Sequence, residues 1–229
     1  MFASFETRET SVGSAATIFA RLGGQGDGLL LLHGFPETHL MWRDIAPSLA
    51  GDFAVVCADL PGYGRSTLAT GEPAPSQTKR AMADLLVEAM ARLGFERFAV
   101  VGHDRGGRVA YRMALDHPDC VSRLAVLDVV PTAAAWDRAD ARFALAFWPF
   151  SLLAQDPPLP ERLIGACPEA VVDAALSGWG TPEATFPDEV RAAYIEALRD
   201  PAQVHAICQE YRAAAGADRD HDHADLAAG

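Results

Sequence analysis

Gly102-His103-Asp104-Arg105-Gly106-Gly107-Arg108 follows directly on the apolar run Phe98-Ala-Val-Val101. It sets an acidic side chain among glycines where a strand gives way to a helix. A strand-to-helix turn this tight forces its central residue into a strained backbone conformation, and small neighbours let the two chain segments pass. The amide of Arg105 then sits at a helix N-terminus, facing any negative charge that develops there. Taken alone, the stretch also fits an ordinary glycine-rich turn between strand and helix.

Two further stretches narrow the choice. His33-Gly34-Phe35-Pro36-Glu37 follows the run Gly28-Leu-Leu-Leu-Leu32, and Asp59-Leu-Pro-Gly-Tyr-Gly-Arg-Ser66 follows Phe53-Ala-Val-Val-Cys-Ala58. Strands apolar on both faces suit the interior of a parallel sheet. Leu124-Ala-Val-Leu127, ended by Asp128, reads the same way. Helical segments are predicted between them at roughly 40–50, 78–93 and 106–117. In the second, Met82, Leu85, Leu86, Met90 and Leu93 recur at three- and four-residue spacing and form an apolar stripe. The expected fold class is therefore α/β, a mostly parallel sheet with helices on both faces. The three loops then share the carboxyl end of one sheet, where open α/β folds bind ligands.

The character changes after Pro131. The remainder is alanine-rich and helix-like, is punctuated by prolines from Pro149 to Pro201, and has no strong strand. The expected organisation is a core over residues 1–131 followed by a helical lid over 132–229.

The 229 residues carry a formal net charge of -12, which argues against nucleic acid or an anionic membrane as the main partner. A small substrate remains, and an acidic protein can still hold a locally positive site. The apolar runs are too short to span a bilayer, and Met1 to Ser11 lacks the pattern of a secretory signal. A cytoplasmic location is the expectation, and a homodimer is compatible with it. Cys57, Cys120, Cys167 and Cys208 are widely spaced, without support for disulfides or structural zinc. Cys57 is expected in the core. No cofactor and no metal is implied.

The combination of these motifs resembles the α/β-hydrolase family along essentially the whole chain. Within it, an aspartate at the turn is similar to the branch that holds haloacid and haloalkane dehalogenases and epoxide hydrolases. In that branch the aspartate attacks an sp³ carbon and leaves an alkyl-enzyme ester for water to cleave. Gly-His-Asp-Arg-Gly-Gly-Arg most resembles the haloacetate and fluoroacetate dehalogenases. The resemblance implies Asp104 as nucleophile and the Phe35 and Arg105 amides as oxyanion hole. It also implies Arg105 and Arg108 as a grip on the substrate carboxylate, and Asp128 as the acid of the triad. A planar, permanently charged guanidinium suits a carboxylate. The alternatives are a solvent-facing helix residue for Arg108 and a capping aspartate for Asp128. By strand alternation, His103 is expected to point away from Asp104. Both it and His33 are read as structural residues.

The resemblance also implies a triad histidine after two further strands. None of His33, His39, His103, His117, His205, His221 or His223 has that context, so a strand-helix-strand-helix part of roughly 60 residues has no counterpart. Such a chain is expected to be alkylated at most once and to hydrolyse the ester poorly. His221 and His223 are read as part of a mobile acidic chain end rather than a metal site. The fluoride donors of the family align with Pro149, Phe150 and Gly216, which argues against defluorination and leaves Trp148 and Tyr211 as lid donors. Two other readings stand beside this one. An epoxide hydrolase would use two lid tyrosines, of which Tyr211 is one and Phe150 replaces the other. An inactive truncated fragment would leave an apolar sheet edge at 124–127 open to pairing.

Overall fold

The computed structural model describes residues 1–69, 76–178, 182 and 185–228. The chain divides into two compact units, Met1–Val129 and Val130–Gly229.

The first unit is built on a seven-stranded sheet. Strands β1 (Glu6–Val12), β2 (Ala16–Gly23), β3 (Gly28–Leu32), β4 (Ala54–Ala58), β5 (Thr67–Leu68), β6 (Phe98–His103) and β7 (Val121–Leu127) take the order β1-β2-β4-β3-β6-β7, with β5 on β2. The run β4-β3-β6-β7 is parallel. Leu30, Leu31 and Leu32 are fully buried, as expected for a strand covered on both faces. A leucine-to-alanine change at such a position costs about 2–5 kcal/mol. β7 begins three residues earlier than the apolar run alone indicates.

Sequence reading missed β1 and β2. They form an antiparallel hairpin in the register Glu6↔Leu22 to Val12↔Ala16, and β2 continues antiparallel onto β4. For β1 the reason is visible in the strand itself. Glu-Thr-Arg-Glu-Thr-Ser-Val is exposed along most of its length and carries no apolar period.

A 3-10 turn (His39–Trp42) and helix α1 (Ala46–Leu49) replace the single predicted helix at 40–50. Helix α2 (Lys79–Arg92) starts on an N-cap, the Thr78 hydroxyl accepting from the Ala81 amide at 3.2 Å. Its stripe is buried at Met82, Leu86, Ala89 and Met90. Helix α3 (Asp104–Asp116) begins directly at the acidic residue rather than two residues beyond it. Trp42, Leu29, Leu31, Val55 and Cys57 form one hydrophobic cluster with Phe2 and Phe5. Cys57 is a core residue, its thiol pushed up by burial.

Among the described residues the second unit is entirely helical: α4 (Thr132–Asp137), α5 (Ala141–Ala146), α6 (Trp148–Leu153), α7 (Leu159–Ala166), α8 (Pro168–Ser177), α9 (Asp188–Ala197), α10 (Pro201–Ala215) and α11 (Ala217–Ala228). The segment around His221 and His223 corrects the expectation of a mobile end. It is helix α11, and it is anchored. Asp222 is buried and accepts from the Ala133 amide at 3.0 Å, which caps α4. Arg219 and His223 both reach Asp137, at 2.9 and 2.7 Å. Reading charge alone overlooked that Asp218 and Asp222, four positions apart, both face inward. No helix among the described residues is long and apolar enough to cross a membrane.

Candidate active site

Asp104 closes β6 and opens α3 with φ +46°, in the left-handed region that L-residues avoid. Such a residue costs of order 1–3 kcal/mol and persists only when its surroundings over-determine it. Here they do. A Cβ on Gly102 would collide with the Gly106 carbonyl, and one on Gly106 would collide with the backbone of Leu32 and His33. Strand end, helix start and the neighbouring loop thus pass at backbone contact. The Gly106 amide donates to the His33 carbonyl at 2.9 Å and ties the turn to the loop after β3.

That loop brings the Phe35 amide onto the nucleophile candidate. Phe35 N–H donates to Asp104 Oδ2 at 3.0 Å. The amide expected to receive developing charge is already engaged with the aspartate's own oxygen.

His103 corrects the expectation from strand alternation. A Cβ placed on Gly34 would lie 2.9 Å from Asp104 Oδ2 and 3.1 Å from His103 Nδ1, so the two atoms flank one point and cannot be more than 6.0 Å apart. The positive φ at Asp104 breaks the alternation and returns its side chain toward that of His103. His103 Nδ1 stands 3.3 Å from Glu37 Oε2, an ion-pair distance without good hydrogen-bond geometry. Burial works against protonating His103. The Glu37 carboxylate, then Asp104 and Asp128, outweigh it and hold the pKa above its ordinary value. The pair was not recognised in the sequence. Its only signal there is that Glu37 and His103 each lie within one of the loop motifs.

His33 is the structural residue the sequence suggested. It is fully buried, with Nδ1 2.9 Å from the Gly34 carbonyl and Nε2 accepting from the Leu60 amide at 3.0 Å. An accepting Nε2 requires the proton on Nδ1, so the ring is neutral, and burial lowers its pKa. It fastens the loop after β3 to the loop after β4. In the latter, buried Asp59 accepts from the His39 amide at 2.6 Å, His39 Nδ1 at 2.9 Å and the Arg65 amide at 2.8 Å. Burial alone would raise its pKa. The hydrogen bond and charge of His39 prevail and lower it.

Arg105 and Arg108 lie in the first turns of α3, and both are buried. Arg108, at 5% exposure, is not the solvent-facing helix residue of the alternative reading. Asp128 follows β7 directly, is exposed, and also takes a positive φ, +48°. It acts electrostatically on His103 together with Asp104. The carboxyl end of the sheet thus gathers Phe35, Glu37, His103, Asp104 and Asp128.

The lid candidates belong to the second unit. Phe150 and Tyr211 are buried and meet edge to face, with ring centroids 5.9 Å apart. Phe143, Phe147 and Trp136 complete the cluster around Phe150. Trp148 is half-buried. Among the described residues no group of histidine, cysteine, aspartate and glutamate is arranged to hold a metal ion.

A left-handed acidic residue between parallel strand and helix, facing a backbone amide from the loop after the neighbouring strand, defines a class. The chain belongs to the α/β-hydrolase fold family, whose model matches residues 28–151. Among curated proteins it is similar to a fluoroacetate dehalogenase of Burkholderia sp., 48% identical over 228 residues, covering 99% of this chain and 75% of that one. It is also similar to a soluble epoxide hydrolase of Corynebacterium sp. (strain C12), 42% identical over 108 residues, covering 47% of this chain and 36% of that one. A solved Pseudomonas aeruginosa structure, described as that of an epoxide hydrolase candidate, superposes with a TM-score of 0.94. It is 47% identical and covers 99% of this chain and 76% of that one.

Proposed function

We propose that the chain is a hydrolase of the haloacetate-dehalogenase type, acting on the carbon–halide bond of a small carboxylate. The observation that carries this reading is the engagement of Asp104 Oδ2 by the Phe35 amide. With Oδ2 held, Oδ1 is the attacking oxygen. A C–O bond forms at the halogen-bearing carbon while the carbon–halide bond breaks and the halide leaves with the bonding pair. Oδ2 becomes the carbonyl oxygen of the ester. When water adds to that carbonyl, negative charge returns to Oδ2, where the donor already stands. One such donor is worth about 10²–10³ in rate.

Arg105 and Arg108 serve as the grip on the carboxylate, and the Arg105 amide as the second donor. Asp128 is the acid of a triad whose base has no counterpart among the seven histidines. The first half-reaction needs only Asp104 and the substrate grip. The second needs a base, so the two halves are separable by experiment.

Incubation with chloroacetate followed by peptide mass spectrometry tests the reading. The expected result is one carboxymethyl group on the peptide bearing Asp104, or continuous chloride release that Asp104→Asn abolishes. Neither adduct nor chloride would overturn it. The match to the Corynebacterium enzyme favours epoxide opening as the second reading, with Tyr211 as a donor. Diol formation from styrene oxide, without chloride release from chloroacetate, would select it.

A further inference from the structure

His103 and Asp104 are consecutive in the chain, yet their side chains share one space at the end of the sheet. A Cβ on Gly34 would lie 2.9 Å from Asp104 Oδ2 and 3.1 Å from His103 Nδ1, so carboxylate and imidazole stand within 6.0 Å of each other. Glu37 supplies the ring with a counter-charge. It is buried, and its Oε2 lies 3.3 Å from Nδ1. Asp128 is the third carboxylate acting on the ring. The charges around His103 therefore come from three elements, the loop after β3, the start of α3 and the end of β7, and all three are negative.

A cation held by its neighbours answers to a change in any of them. Ester formation is such a change. When Oδ1 forms its bond to carbon and chloride leaves with the bonding pair, the charge of the Asp104 carboxylate is consumed. His103 then faces two anions instead of three. Addition of water and cleavage of the ester restore the third.

We propose that His103 is a positioning residue coupled to the nucleophile: its positive charge, held by Glu37, opposes loss of the Asp104 charge and favours its return. The two half-reactions then respond to His103 in opposite directions. A charged ring slows alkylation and assists hydrolysis of the ester, and ester formation releases part of its proton to solvent. Linkage requires this reciprocity: whatever protonation of His103 does to the ester equilibrium, the ester does to the proton affinity of His103. The inference rests on Asp104 as the nucleophile and adds the group that governs its charge.

Two measurements test it. Asp104→Asn removes the charge without any reaction, and the NMR midpoint of the His103 ring is expected to fall in that variant. An unmoved or raised midpoint overturns the coupling. The second measurement follows alkylation by chloroacetamide, a neutral reagent, read as hydroxylamine-labile label on the peptide bearing Asp104. Its rate is expected to rise by about threefold or more as pH passes the His103 midpoint, since unit charges this close interact even in water. Glu37→Gln should move the rise to lower pH. His103→Gln, with circular dichroism unchanged, should remove it. A flat profile in the parent, or a rise that Glu37→Gln leaves in place, overturns the proposal. No label on Asp104 in any of these proteins would instead overturn the nucleophile reading, and the Asp104→Asn titration separates that failure from a failure of the coupling.

Discussion

The Phe35 amide and the Asp104 carboxylate, 69 positions apart in sequence, meet at 3.0 Å. Two loops following two adjacent parallel strands make this contact, and the Gly106 amide on the His33 carbonyl holds them in place. The donor is set before any substrate arrives, so no reorganisation is required when charge develops on Oδ2. Asp104→Asn is expected to abolish both the adduct and halide release while leaving the melting temperature within about 4 °C of the parent. Residual release at more than a hundredth of the parent rate would place the nucleophile elsewhere.

Arg108 is expected to act on affinity for charged substrates. Hydrogen bonds to a charged group contribute about 1.5–3 kcal/mol. Arg108→Leu should therefore slow alkylation by dilute chloroacetate by roughly ten- to a hundredfold. Chloroacetamide, which lacks the charge, should react at nearly equal rates with both proteins. An equal loss for the two reagents would show that Arg108 supports the fold rather than the carboxylate.

The His103–Glu37 pair predicts a pH dependence with a definite sign. His103 titrates above its unfolded value because Glu37, Asp104 and Asp128 favour the imidazolium over the opposing effect of burial. Its contribution to stability is complete below the unfolded pKa and is lost as pH rises through the folded one. NMR titration of the His103 ring should show a midpoint above 6.5, and Glu37→Gln should lower it. A midpoint unmoved by that change would remove Glu37 as the cause.

Asp59 and His33 act in the opposite direction. Both pKa values are lowered, so their contributions are present above the unfolded values and are lost as pH falls through the folded ones. Acid unfolding should begin with the loops after β3 and β4. Hydrogen exchange at moderately acid pH, comparing the Leu60 and Arg65 amides with those of β3, would detect it.

In the helical unit, Asp222 caps α4 through the Ala133 amide. Asp222→Ala should cost about 0.5–2 kcal/mol. In a chain of this size that lowers the melting temperature by roughly 1–8 °C. Thermal unfolding followed by circular dichroism measures it, and an unchanged midpoint would mean that the contact does not persist in solution.

Local sequence was sufficient wherever one period or one motif decided the outcome. Four leucines in a row between turns can only be buried on both faces, which announced β3 as an interior strand. Glycines around Asp104 announced a tight turn, because no larger residue lets the backbones of Gly102 and Gly106 pass. The family followed from these motifs. Strand β1 was silent, because an exposed polar strand is specified by its partner and not by its own pattern. Only the tertiary structure paired Glu37 with His103, buried Arg108, and turned an acidic C-terminal segment into a docked helix. Each of these depends on distant parts of the chain approaching within a few ångströms, where burial and charge act through space rather than along the sequence. The acid at the turn was legible from composition and spacing. What surrounds its two oxygens was decided by the sheet that brings the loops together.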